Sequence, residues 1–205
     1  ELHARVAGPG RRILIRPVPA VSGGAGRSAV LGSVVFRRYD AEHMFVLGID
    51  PGLTRTGYGI IESAGSTERA VAAGVIRTDP AQSLGERFVE LARDLREIVA
   101  EYEPSAAAIE QVFVNRNRHT AMSVARASGI ALLVLSEARL ETAEYTPSAV
   151  KMALTGSGTA DKQQMQRVVA MRLGLPSAPS PADAADALAV ALCHVQHRVL
   201  TARIS

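Results

Sequence analysis

The chain has 205 residues, 47% of them hydrophobic, which suits one domain with a real core and excludes a disordered chain. No apolar run is long enough to span a membrane, and the lone Cys193 excludes an intrachain disulfide, in agreement with a reducing, cytoplasmic setting. The net charge of +3 gives no support to a nucleic-acid partner: residues 1–43 hold seven arginines against three acids, while the remainder is near neutral with 16 basic and 17 acidic residues.

Residues 1–43 are rich in Arg, Gly, Val and Ser, contain no lysine and show no sustained period. They are expected to be an extension outside the folded unit (upstream-translated sequence, a tag or a tail), with Met44 directly preceding the first clear strand. The functional alternative is a basic arm on DNA phosphates. A targeting presequence has weak support, because no amphipathic helical stripe is evident.

From Met44 the pattern is orderly. Strand one is expected at 45–50, and the turn P-G-L-T-R-T-G leads to strand two near 57–63 and strand three near 69–77. Leu84, Phe88, Leu91, Leu95 and Ile98 then recur at helical spacing, with Pro104 past the helix end. Strand four, 106–110, is continuously apolar up to its final Glu110, as a strand buried on both faces should be. An Ala-rich helix spans 117–139, whose small residues offer a close-packing face to the core or to a second subunit. A short strand follows at 142–146, and Thr146-Pro147 reads as N-cap and first residue of a helix carrying Lys151. After the T-G-S-G-T loop come a helix at 161–173 and a last helix at about 181–198, started by Ser180-Pro181. This order predicts an α/β fold with a mixed sheet.

Four carboxylates stand out. Asp50 closes F-V-L-G-I-D and Glu110 closes A-A-A-I-E, so each acid ends an apolar strand at the sheet's carboxyl edge, where open α/β sheets bind ligands. Asp183 and Asp186, three residues apart at a helix start, face one side of that helix. Acids in such places are costly unless positive charge meets them. Convergence of all four would give a cage of hard oxygen ligands for Mg²⁺ or Mn²⁺. Two such ions roughly 4 Å apart can clamp a scissile phosphate, one helping to deprotonate water and the other stabilising the leaving 3′ oxygen. Three of the four acids also have a plain reading, whereas Asp186 lies one turn too far into the helix for capping to explain it. Asp-Pro-Gly is a good turn, Glu110 can sit just past its strand in water, and Ser180-x-x-Asp183 fits a capping box. Gly52, Gly57 and Gly59 permit tight turns or close approach of a backbone or phosphate. Phe113, in the polar loop before N-R-N-R-H, is placed to stack on unpaired bases or to fold back onto the core. Arg116, Arg118 and His119 are equally phosphate contacts or solvated loop residues. Lys151 and Lys162, read from the residues alone, are surface lysines. His194 lies eight residues past Asp186, roughly 12 Å along a helix, too far to share a metal with it, and is read as structural.

At L-G-I-D-P-G-L, I-E-Q-V-F and P-A-D-A-A-D-A-L-A-V-A-L-C-H the chain resembles the RuvC-type Holliday junction resolvases over 44–198, and so assigns 44–205 to a junction-resolving nuclease domain. The resemblance implies an RNase H-like mixed five-stranded sheet flanked by helices. It also implies a homodimer with two Mg²⁺-dependent sites (Mn²⁺ as substitute), and paired nicks in opposed strands of a four-way DNA junction that leave 5′-phosphate and 3′-hydroxyl ends. It places Asp50, Glu110, Asp183 and Asp186 on the catalytic, metal-binding carboxylates, Phe113 on an aromatic residue engaging bases near the junction centre, and Lys151 and Lys162 on basic residues near the scissile strand. A branch-migration motor complex is the further implied partner. Some relatives carry His where this chain has Asp183, and residues 1–43 have no counterpart.

Three rivals remain. Another RNase H-like nuclease, acting on RNA or non-junction DNA, would share Asp50 and Glu110. An ATP-binding domain of the sugar-kinase and actin type also uses an Asp-x-Gly turn, but needs a second lobe for which this chain is too short. A junction binder without catalysis conflicts with four retained acids, which repel DNA.

Overall fold

The computed structural model describes residues 3–6, 12–15, 43–112 and 118–204. Strands β1 (His3–Val6) and β2 (Arg12–Ile15) pair antiparallel with His3 opposite Ile15, a pairing that the unpatterned composition of residues 1–43 did not announce.

The main sheet has five strands in the order β5-β4-β3-β6-β7. Strands β3 (His43–Asp50), β4 (Arg55–Ala64) and β5 (Thr67–Arg77) form an antiparallel meander, while β6 (Ala106–Glu110) and β7 (Glu141–Tyr145) continue from β3 in parallel. The sheet is thus mixed and flanked by helices on both faces, as expected. The meander strands start earlier than their apolar runs, because backbone pairing between β4 and β5 extends to Arg55, opposite Arg77, and to the exposed Thr67, opposite Ala64.

One face is covered by α1 (Leu84–Tyr102) and α2 (Arg118–Glu137), whose Leu91, Leu95, Ala127, Ala131 and Leu135 pack on Leu47, Ile49 and Ile109. Helix α1 begins at a full capping box, in which Ser83 accepts from the Glu86 amide and Glu86 accepts from the Ser83 amide at 2.9 Å. It ends on Glu103 in the left-handed region, φ 41°, just before Pro104. Leu84, counted with the apolar stripe, is exposed because it lies in the first turn, ahead of the stretch that meets the core.

The other face is covered by α5 (Ala182–Ile204), with α3 (Pro147–Thr155) and α4 (Lys162–Arg172) outside it. Helix α3 has the expected Thr146 cap, accepting from the Ala149 amide at 3.1 Å, and Asp161 caps α4 in the same way. Between Ala184 and Val195, α5 is buried on nearly every side, the signature of a helix enclosed between layers. It lies unusually close to the sheet. A Cβ on Gly48 would come within 2.1 Å of the Ala187 carbonyl, and one on Gly57 within 2.1 Å of the Asp183 carbonyl. Gly57 therefore serves close approach of a backbone. It sits opposite Asp50 across β3–β4, so the same contact brings the start of α5 to the end of β3.

Candidate active site

Parallel pairing of β3 with β6 sets Ile49 beside Ile109, so the next residues, Asp50 and Glu110, end adjacent strands at one edge. Asp183 and Asp186 enter from the first turns of α5. The loop after Asp50 is pinned from both sides. Thr56 Oγ1 donates to the Gly52 carbonyl at 2.8 Å, and Thr78 Oγ1 to the Leu53 carbonyl at 2.6 Å. Arg87 of α1 reaches across to donate to Thr78 Oγ1 and Thr54 Oγ1, each at 2.9 Å.

Asp50, Glu110 and Asp186 line one open cavity of about 230 Å³, together with Lys151, Lys162, Pro147, Val150, Met165 and Ala189. Lys151 and Lys162 are the only lysines in the chain, against 21 arginines, and both line this cavity. Their compact ammonium groups put point charges among the acids where the rest of the protein uses guanidinium. Lys162 Nζ donates to Asp186 Oδ2 at 3.0 Å. Its helix is tied down by Arg172, which forms a two-bond pair with Glu68 of β5 and donates to Gln196 of α5 at 2.9 Å.

Burial, then repulsion from Glu110, Asp186 and Asp183, pushes the Asp50 carboxyl up to about 8, with Lys162 opposing. Burial, then Asp186, pushes Glu110 up to about 7, against Lys151 and Lys162. Among the described residues no hydrogen bond or ion pair reaches either side chain.

Asp183 stands apart from the cavity lining. Its Oδ2 accepts from Arg55 Nε at 3.0 Å and from Arg55 Nη2, so the acid that the sequence offered as a capping residue is engaged by a guanidinium instead. Helix α5 starts one residue later than the Ser180-Pro181 signal suggests, at Ala182. Arg55 escaped the sequence reading; the available signal was a cation five residues after Asp50, in the turn that returns the chain antiparallel beside it.

The donor set suits a hard divalent cation: carboxylate oxygens only, with Asp50 and Glu110 half-buried and resisting ionisation until a cation meets them. The cage is not closed, however. Among the described residues no three acidic, His or Cys side chains already converge on one point, and Arg55 and Lys162 hold two of the four acids. His194 is buried in α5, where its Nδ1 meets the Tyr145 hydroxyl at 3.0 Å, a structural role as read from the sequence. Cys193 is buried, and burial pushes its thiol up to about 12. Phe113 and Arg116 lie outside the described residues, as do the side chains of Arg118 and His119.

The family model of the crossover junction endodeoxyribonuclease RuvC matches residues 46–194. The RuvC protein of Salinispora arenicola is 50% identical over 153 residues, 74% of this chain and 87% of the relative. That of Desulforamulus reducens is 46% identical over 153 residues, 75% of this chain and 94% of the relative. Among solved structures, T. thermophilus RuvC in complex with Holliday junction substrate superposes with a TM-score of 0.74 at 36% identity, covering 78% of this chain and 97% of that one. The match spans both strands that end in an acid and the helix that supplies the other two, so the chain belongs to the RuvC family of crossover junction endodeoxyribonucleases.

Proposed function

We infer that the protein is a structure-specific endonuclease that resolves four-way DNA junctions by paired nicks in opposed strands. Family membership gives the reaction class, and the observation that carries the site is the half-buried Asp50–Glu110 pair at the sheet edge, which among the described residues has no hydrogen bond or ion pair to its side chains.

Asp50, Glu110, Asp183 and Asp186 are the residues that would hold divalent metal, Mg²⁺ or Mn²⁺, two ions per site. Bound there, the metal would lower the pKa of water and offset charge on the scissile phosphate. Asp50 and Glu110 hold fixed positions because they end paired strands, and they supply charge that water screens poorly. Lys162 neutralises Asp186 until a cation or a phosphate competes for it. Lys151, which lines the same cavity, would meet phosphate oxygens of the strand being cut. Phe113, with Arg116 and Arg118, would engage bases and phosphates near the junction centre.

Two such sites in a homodimer would match the near two-fold symmetry of a four-way junction. The outer face of α2 suits a partner subunit. Met122, Arg126, Gly129 and Leu133 recur on one side of it, and Met122 and Leu133 are each more than half exposed. A branch-migration motor is the further partner that the family implies.

The test is a labelled synthetic four-way junction with Mg²⁺, Mn²⁺ or chelator, run beside a linear duplex of the same sequence. Symmetric nicks in the junction alone, with metal alone, are expected. Equal cutting of duplex or RNA would favour a general nuclease. Asp50→Asn should abolish cleavage while junction binding persists, and retained cleavage would sink the assignment of the acids.

A further inference from the structure

We propose that Arg55 and Arg77 form a clamp for a DNA backbone phosphate at the β4–β5 end of the active edge; the proposal rests on the reading of the chain as a nuclease of DNA junctions. The β4–β5 register sets Arg55 directly opposite Arg77. Directly opposed residues of an antiparallel pair project from the same face. Here that is the face covered by α5, since Gly57, two residues beyond Arg55, meets the Asp183 carbonyl.

Two like charges so placed repel each other. Among the described residues one anion serves the pair, Asp183, and it bonds to Arg55 alone. Arg77 is exposed, and among the described residues it has no hydrogen bond or ion pair. Asp183 also has a competing role in holding metal. Once its oxygens turn to a cation, both arginines lack a counter-charge.

The ligand that restores the balance must be anionic and must fit two planar guanidinium forks, which phosphate oxygens do. The position agrees. Lys151 and Lys162 line the cavity from α3 and α4, whereas the arginines come from β4 and β5, outside that lining. A strand crossing the acids would meet lysines at the scissile phosphate and arginines at a neighbouring one. The backbone under the pair is held in place, because the Thr78 amide donates to the Thr54 carbonyl at 3.3 Å and Arg87 bonds both threonine hydroxyls.

The experiment compares the full chain with Arg77→Gln and with the Arg55→Gln/Arg77→Gln double variant. Binding to a labelled four-way junction and to linear duplex is followed across a salt series with Ca²⁺ as the divalent ion, beside thermal melting of each free protein. Arg77→Gln is expected to weaken junction binding roughly tenfold at 0.1 M salt and to lower the slope of log K against log salt by about one, the double variant by about two. It should melt no lower than the parent, since the repulsion from Arg55 is relieved. Parental affinity and slope in both variants would overturn the clamp, and so would a fall in melting temperature for Arg77→Gln, which would make the arginine structural. A parent that binds duplex as tightly as junction, with the slopes still falling, would overturn the junction reading and leave the clamp standing. A parent that binds neither DNA overturns both.

Discussion

At the scale of single residues, the site resists negative charge. An Asp50 carboxyl in the unfolded chain titrates near 3.8, whereas burial and its acidic neighbours push it up to about 8 in the fold. Between those values the folded protein keeps a proton that the unfolded chain has lost. Stability of the metal-free protein therefore falls as pH rises through the window. Asp50→Asn removes this contribution. Urea melts in chelator should find the variant more stable than the parent at pH 8 by at least about 1 kcal/mol, with the gap closing toward pH 4. Mg²⁺ should stabilise the parent more than the variant, because it meets the charge that the substitution deletes. A constant gap from pH 4 to pH 8 would deny that the carboxyl is strained. The four acids were legible in the sequence because each combines an ionisable group with a local position that resists it, a strand end or a helix start. Arg55 was not, since its partner lies 128 residues away and an arginine in a turn looks the same whether solvated or engaged.

At the scale of elements, the distance between α5 and the sheet decides where two of the acids stand. Gly57→Ala would drive a Cβ to 2.1 Å from the Asp183 carbonyl, and neither the enclosed helix nor the paired strand has room to yield. The cost should be roughly 1–3 kcal/mol, with cleavage falling more than stability because the start of α5 moves. Gly85→Ala in α1 is the matched control. A Cβ there meets nothing within 4 Å, and the change should stabilise by up to about 1 kcal/mol through lost chain entropy. Thermal melts and junction cleavage of the two variants read the difference directly. If Gly57→Ala melted and cleaved like the parent, the contact would not set the site. The helices and the central strands could be read from the sequence because periodicity and caps are local properties. The earlier starts of β4 and β5 could not, because they follow from cross-strand pairing. Gly57 showed only that something comes near, not that it is the backbone of a helix more than a hundred residues later.

At the scale of the whole molecule, paired nicking requires two sites held at a fixed separation, and one chain contains one set of acids. The inner side of α2, with Ala127, Ala131, Val134 and Leu135, is used by the core. The small residues of this helix therefore divide between two tasks: Ala127 and Ala131 close the core, while Ala125 and Gly129 lie on the outer side with Met122 and Leu133. A stripe with Met122 and Leu133 exposed, Arg126 between them and a glycine near its centre permits close approach of a second helix, and a two-fold axis through it would pair α2 with its own copy. Leu133→Asp would place two negative charges face to face there. Sedimentation should find the parent a dimer and the variant a monomer at micromolar concentration, with little change in the far-UV spectrum because Leu133 contributes little to the core. Junction cutting should then lose its symmetry: the variant would leave single nicks where the parent cuts both strands. A mixed dimer with one Asp50→Asn subunit should also nick one strand only, but without losing the dimer. A variant that is still dimeric and still cuts in pairs would move the interface elsewhere on the surface. If mixed dimers cut both strands equally, a single set of four acids must serve both strands in turn, and the symmetry argument would fail with them.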